Sequence, residues 1–264
     1  MSTSAETLPQ ERQQAILDRL REHGRVTATE LAALFGVSED SIRRDLHKLA
    51  AQGVCRRVYG GALLPTPAFA PLPQRREENS ARKQALARAA VKLVRPGQVL
   101  LLDAGSTNYA IATALPERQQ LTVVTNAPDI AQCLMAREGF EILMIGGRME
   151  PRIGAVIGAQ ALEQLRRLRA DLCFPGACAV DAEYGLWATD SEEALFKRRM
   201  IEVSSETAVV VTTDKLGALS AYQVVELDAI SHIVVEKDVA AAQIEAFRAR
   251  EIQMHEADPT AGSP

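Results

Sequence analysis

The sequence predicts two domains: an N-terminal winged helix-turn-helix, mainly α with a small β wing, and a C-terminal α/β domain with a mainly parallel sheet. Three observations carry that prediction. Residues 27–61 hold two short amphipathic helical patterns broken by Gly36-Val37-Ser38 and followed by a basic strand and a Gly-Gly turn. From Val99 onward, short and mostly apolar runs alternate with segments able to form helices. Between the two, LLPTPAFAPLP at 63–73 holds four prolines, which sustain neither a helix nor a sheet interior. The boundaries drawn are 1–62 for the head, 63–74 for a linker, 75–255 for the body and 256–264 for a polar, disordered tail.

Composition narrows the classes. At 264 residues the chain can bury more than one core, and 47% hydrophobic residues with a mean hydropathy of −0.06 fit a soluble globular protein. No apolar run approaches the roughly 20 residues of a membrane span, and the polar start lacks a signal-peptide core, so a cytoplasmic protein is expected. A net charge of −4 argues against indiscriminate coating of nucleic acid but leaves room for a local basic module. The four cysteines (Cys55, Cys133, Cys173, Cys178) form no CxxC pair, and the four histidines show no ligand spacing. No metal and no cofactor are expected.

Taken in order, residues 1–9 read as disordered and Gln10 to His23 as an amphipathic helix with Ile16, Leu17 and Leu20 inward. Gly24-Arg25-Val26 reads as a short strand able to join the wing. Thr27 and Glu30 have capping-box spacing, and Leu31, Leu34 and Phe35 give the next helix its apolar stripe. Gly36 can take the left-handed conformation of the sharp turn that follows. Ser38 is a good N-cap for a helix from Glu39 to about Ala51.

That helix sorts by face. Ile42, Leu46 and Leu49 cluster on one side, while Asp40, Arg44, His47 and Lys48 point the other way, flanked by Ser41 and Arg43. From Ser41 to Gly61 there are five Lys/Arg against one acid, Asp45. A cationic outer face on a short helix set across another suits a major-groove reader, since arginine pairs with guanine and neighbouring cations meet phosphates. The residues expected at double-stranded DNA are Ser38, Ser41, Arg43, Arg44, His47 and Lys48 on the helix, with Arg56, Arg57 and Tyr59 on the wing. A solvated basic face on an ordinary helical hairpin is the competing reading, which cap, turn and basic strand together weaken. Asp40 is out of place on such a face. It either complements the helix N-terminus or accepts from a cytosine amino group.

After the linker, Arg75, Asn79 and Lys83 lie four apart on one face of a helix expected to run to Val94. Strands are expected at Val99 to Asp103, Leu121 to Thr125, Glu141 to Ile145, Asp171 to Phe174, Ala208 to Thr212 and His232 to Val235. Helices are expected at Thr107 to Leu115, Pro128 to Arg137, Ala159 to Leu168 and Glu192 to Ser204. Unbroken apolar strands alternating with helices predict a sheet covered on both faces. Ligands of such sheets bind beyond the carboxyl ends of the strands, and distinctive residues fall there. Asp103, Gly105, Ser106 and Thr107 follow the first strand and open a helix, a combination of N–H groups, hydroxyls and dipole suited to phosphate. Thr125 and Asn126 follow the second strand, Gly146, Gly147 and Arg148 the third, and Gly176 the fourth. Each alone is often only a turn. Glu193 and Lys197 have the spacing of a pair on one helix face.

VSEDSIRRDLHKLAAQGVCRRVYGGA at 37–62, with LDAGST at 102–107, TN at 125–126, IGGRM at 145–149 and EEALFKRRMI at 192–201, resembles the DeoR-type bacterial regulators of sugar metabolism. The resemblance runs from Gln10 to about Glu236, and the R-x3-N-x3-K spacing recurs in that family. It implies a winged helix-turn-helix on operator DNA and an effector domain similar to the ribose-5-phosphate and glucosamine-phosphate isomerase folds. It further implies that Lys197 and Lys215 meet the anionic end of a sugar phosphate while Asp181 and Glu193 face its hydroxyls. A repressor of a carbohydrate operon, acting as a homo-oligomer (dimer or tetramer), is the resulting expectation. Two departures thin the carboxylates that an isomerase would use: Cys178 and Thr212 stand where the family tends to have aspartate. An isomerase with an accessory DNA domain is the alternative, and a protein-docking helix-turn-helix a third reading.

Overall fold

The computed structural model describes residues 9–258 except 24, 59 and 64–71. These form two compact units, the first holding the described residues up to Leu63 together with Gly217–Ser220, the second holding the others. Tyr59, most of the linker and the tail beyond Asp258 lie outside the described residues.

The first unit comprises α1 (Pro9–His23), β1 (Arg25–Thr27), α2 (Ala28–Phe35), α3 (Glu39–Ala51), β2 (Arg56–Val58) and β3 (Gly61–Leu63). Its helix ends follow the local chemistry. Thr27 Oγ1 accepts from the Glu30 N–H at 3.2 Å, Gly36 closes α2 at φ 63°, and Ser38 Oγ accepts from the Ser41 N–H at 3.3 Å. Ile16, Leu20, Leu31, Ile42, Leu46 and Leu49 form the core. Leu17 is only half-buried, and Leu34, expected inward, is 49% exposed, because α2 turns a narrower stripe to the core than its sequence offers. The sheet order is β1-β3-β2, so β1 does join the wing. Gly61 is required there: a Cβ would stand 2.1 Å from the Val26 carbonyl oxygen.

The second unit opens with α4 (Leu72–Glu77) and α5 (Ser80–Ala90). The single helix expected across Arg75 to Val94 is therefore two, broken at Asn79 with φ 54° and trailed by a 3-10 turn, Val91–Leu93. Leu72 and Pro73, assigned to the linker, begin α4; proline in a first turn removes no helical hydrogen bond. There follow β4 (Val99–Leu102), α6 (Ser106–Ala114), β5 (Leu121–Thr125), α7 (Pro128–Met135), β6 (Phe140–Met144), β7 (Arg148–Glu150), β8 (Ala155–Ile157), α8 (Ala159–Leu165) and β9 (Ala170–Phe174). Then come β10 (Ala179–Asp181), β11 (Gly185–Ala188), α9 (Ser191–Glu202), β12 (Ser204–Val210), β13 (Tyr222–Val225), β14 (His232–Glu236), α10 (Ala241–Arg248) and β15 (Gln253–Ala257). The tail prediction fails at its start, where Glu256 and Ala257 pair with Val235 and Glu236.

Seven strands form a parallel sheet in the order β15-β14-β12-β9-β4-β5-β6. Alternate residues serve opposite faces: Leu100 and Leu102 pack under α5, α6 and α7, while Leu101 joins the core beneath α8, α9 and α10. From β4 the chain builds toward β6, and from β9 it builds the other way toward β15. The reversal between adjacent β4 and β9 is the topological switch point, where ligands of open α/β sheets bind.

Candidate nucleic-acid interface and anion pocket

Burial of Ile42, Leu46 and Leu49 fixes which face of α3 is outward. Ser41, Arg43, Arg44, His47 and Lys48 line a groove along it, with Arg57 of β2. Arg44 and Lys48 are exposed and make no hydrogen bond or ion pair among the described residues. Arg57 Nη1 lies 3.1 Å from His47 Nδ1, which joins wing to helix. Arg43 is engaged by carboxylates of its own first turn, Asp40 at 3.0 Å and Glu39 at 2.9 Å. Asp40 is thus the partner of Arg43. Ser38 and Ser41 share a hydroxyl contact of 3.0 Å at the cap. Arg56 falls on the wing strand β2.

The sequence reading missed Asp45. It is 3% exposed, and Arg12 Nε and Gln13 Nε2 both donate to it at 2.7 Å. The single acid counted against five cations is therefore engaged by Arg12 and Gln13, fixing α1 to α3, though it still borders the groove, as Asp40 does.

At the switch point, Asp103 is the hub. It is 2% exposed; Oδ1 accepts from the Ala104 N–H at 2.8 Å and Asn126 Nδ2 at 3.0 Å, and Oδ2 accepts from the Gly176 N–H at 2.9 Å. Lys197 Nζ lies 3.3 Å from the same carboxylate and 2.5 Å from Glu193 Oε1. Burial disfavours the Lys197 ammonium, but Asp103 and Glu193 outweigh it and hold its pKa above the usual lysine range. Asn126 Oδ1 also accepts from the Ala104 N–H at 3.1 Å. Asn108, unmarked in the sequence, donates to the carbonyls of Asp103 at 2.9 Å and Phe174 at 2.8 Å. Together these bonds pin β4, β5 and β9 at their carboxyl ends.

Above this base lies a small pocket, with a cavity volume of about 40 Å³, lined by Gly105, Ser106, Thr107, Gly176, Glu193 and Lys215, and also by Arg75, Asn108 and Cys178. The first turn of α6 opens onto it with N–H groups that have no partner within the helix. Gly176 cannot be replaced, since a Cβ would sit 2.8 Å from the Ala104 carbonyl oxygen. Lys215 donates to the Ala177 carbonyl at 2.9 Å, and burial pulls its pKa down, with Arg75 and Lys197 adding to that. Burial likewise lowers Arg75, and it raises the Cys178 thiol with help from the Glu193 charge.

Not every expected residue reaches the pocket. Lys197 lies beneath it, held between two carboxylates. Asp181 accepts from the N–H groups of Glu183 and Tyr184 at 2.8 and 2.9 Å, as the cap of the β10–β11 turn. Thr125 caps the next turn through the Ala127 N–H at 3.1 Å. The Gly146 backbone is bonded on both sides by Gln164, Gly147 packs on Val156, and Arg148 pairs with Glu192 and Glu150 at the surface. These three support the β6–β7 turn. Lys83, read as either a solvated or a ligand position, is 9% exposed and donates to the carbonyls of Arg75 and Glu78. Of the residues that the sequence left out, Arg75 had a signal in its R-x3-N-x3-K spacing; Cys178 and Asn108 had none beyond lying next to marked turns.

No group of three or more His, Cys, Asp or Glu able to hold a metal occurs among the described residues, and none of their helices is long and apolar enough to cross a membrane. Residues 12–68 match the DeoR-like helix-turn-helix domain and residues 78–237 the DeoR C terminal sensor domain. The chain is 35% identical to a putative aga operon transcriptional repressor of Escherichia coli O157:H7, covering 90% of each chain. It is 34% identical to the glycerol-3-phosphate regulon repressor of Escherichia coli K12, over 78% of this chain and 82% of that one. Among solved structures, ribose 5-phosphate isomerase A of Methanocaldococcus jannaschii aligns with 53% of this chain and 55% of its own at 20% identity, TM-score 0.39. With both of its domains matched in order by the same family's models, this chain belongs to the DeoR family of transcriptional regulators.

Proposed function

We propose that this protein represses a carbohydrate-use operon and leaves its operator when a phosphorylated sugar fills the pocket between β4 and β9. The observation that carries the proposal is the makeup of that pocket: Lys215 and Arg75 converge beside the open first turn of α6, with Glu193 already engaged by Lys197. Such a site favours an anionic group. Similarity to a glycerol-3-phosphate regulon repressor supports the same chemistry. The head supplies the other half of the switch, Arg44 toward base edges and Lys48 and Arg57 toward phosphates. One small winged helix binds weakly, so a cytoplasmic homodimer or tetramer on repeated half-sites is proposed.

Linkage sets the mechanism. A sugar phosphate that prefers the conformation unsuited to DNA weakens operator affinity by the factor by which DNA weakens its own binding, typically about 1–3 kcal/mol. Titrating fluorescent upstream DNA with the full-length protein, with and without a panel of sugar phosphates, tests the proposal. A sequence-specific complex that one compound dissociates is expected, with affinity falling steeply with added salt. No specific complex under any condition ends the proposal. Isomerisation is disfavoured on chemical grounds: Asp103 and Glu193 are spent on Lys197, and Asp181 on a turn, which leaves no carboxylate of that set to move a proton.

A further inference from the structure

We propose that Arg75 is an anion ligand of the β4/β9 pocket and that α4 is the element through which pocket occupancy reaches the chain leading to the head. This rests on the pocket being an anion site and adds to it a residue and a route of transmission.

The first support is an excess of cations. Arg75 and Lys215 share the pocket wall, and Lys83 stands close enough to both to feel their charge. Glu193, the one carboxylate among the described lining residues, is drawn to Lys197, while Asp214 acts on Lys215 and Lys83, and Glu78 on Arg75 and Lys83, from outside the wall. Three cations crowded where burial already disfavours charge repel one another, and an anion among them removes that cost. Lys83 is turned instead to the end of α4, donating to the Arg75 carbonyl and, at 2.6 Å, to that of Glu78.

The second support is that α4 is a separable part. It has six residues, too few to hold a helix unaided, and a non-glycine residue at positive φ, Asn79, separates it from α5. Its position therefore depends on side chains: Leu72 against Gly154, Arg76 over the Tyr109 ring at 4.1 Å and paired with Asp129, and Lys83 at its end. Moving Arg75 by the length of a hydrogen bond moves the whole short helix.

The third support is chain order. Only eight residues, 64–71, separate the end of β3 from the start of α4. Leu72 is therefore the described residue of the body that follows the head most closely along the chain.

Hydrogen–deuterium exchange and calorimetry on the full-length protein test this, with inorganic phosphate as the probe at constant ionic strength. Phosphate is expected to slow exchange in both 104–112 and 72–83 in the wild type. Arg75→Gln is expected to weaken phosphate binding by about tenfold or more, as for loss of a charged hydrogen-bond partner. At saturation that variant should still protect 104–112 and no longer protect 72–83. Arg75→Lys, which keeps the charge and loses the fork, should fall between the two and serves if Arg75→Gln does not fold. A Kd for Arg75→Gln within about twofold of wild type overturns the inference, as does unchanged exchange of 72–83 in the saturated wild type. If phosphate leaves 104–112 unaffected in the wild type, the anion site itself is wrong, which is a different failure.

Discussion

Lys215 is a half-buried ammonium with its pKa drawn down, and it donates to the Ala177 carbonyl beside the pocket. Only its protonated form attracts an anion, and a bound anion raises its pKa again. Anion affinity is therefore flat below the lowered pKa and falls as pH rises through it, and within that window binding takes up a proton. Calorimetry in buffers of different ionisation enthalpy reads that uptake, and Lys215→Arg should abolish it, since arginine keeps its proton throughout. Glu236 carries the opposite sign. Burial works to raise its pKa, but Arg82 and Thr213 outweigh it and leave the value lowered. Its contribution to stability is complete above the unfolded-chain value of about 4.3 and is lost as pH falls through the folded value. Glu236→Gln should flatten the acid side of a plot of Tm against pH.

Among the elements, α3 divides its arginines. Arg44 faces outward with no partner among the described residues, whereas Arg43 is shared with Glu39 and Asp40. In a binding-site selection, Arg44→Ala should relax preference at one base position by about 1–3 kcal/mol. Asp40→Asn should instead strengthen binding to all sequences alike, because it removes a repulsive charge and loosens Arg43. Asp45→Ala should destabilise the head by about 3 kcal/mol, since Arg12 is left buried without its carboxylate; a thermal melt of the first unit reads this. Both helices of the turn were legible because Thr27, Gly36 and Ser38 are local signals whose chemistry acts within four residues. The β7–β8 and β10–β11 hairpins were not, because three- and four-residue strands carry too little periodicity to register. The break between α4 and α5 was hidden for another reason: Asn79 is held at positive φ while a lysine four residues on caps the preceding helix, and spacing alone reads both as helical.

In the whole molecule, the sheet's order decides what sequence can and cannot reveal. The apolar runs announced six of its seven strands, and their carboxyl ends announced a set of turns, but only the reversal between β4 and β9 selects among those turns. Asp103, Asn126 and Gly176 meet there, while Gly146 and Arg148 follow β6 at the sheet's edge and fall outside the pocket. Charge pairing shows the same limit. Lys197 and Glu193 were legible as an i, i+4 pair, but that Asp103 completes it, turning a candidate ligand into a support, depends on contacts 94 residues apart in the chain.

The pocket draws its walls from parts of the chain as distant as Gly105 and Lys215, so a guest there ties together regions that the backbone leaves far apart. A compound present at about 100 times its Kd should add about 2.7 kcal/mol to the unfolding free energy and slow proteolysis to match. The protein would then be hardest to degrade while its pocket is occupied.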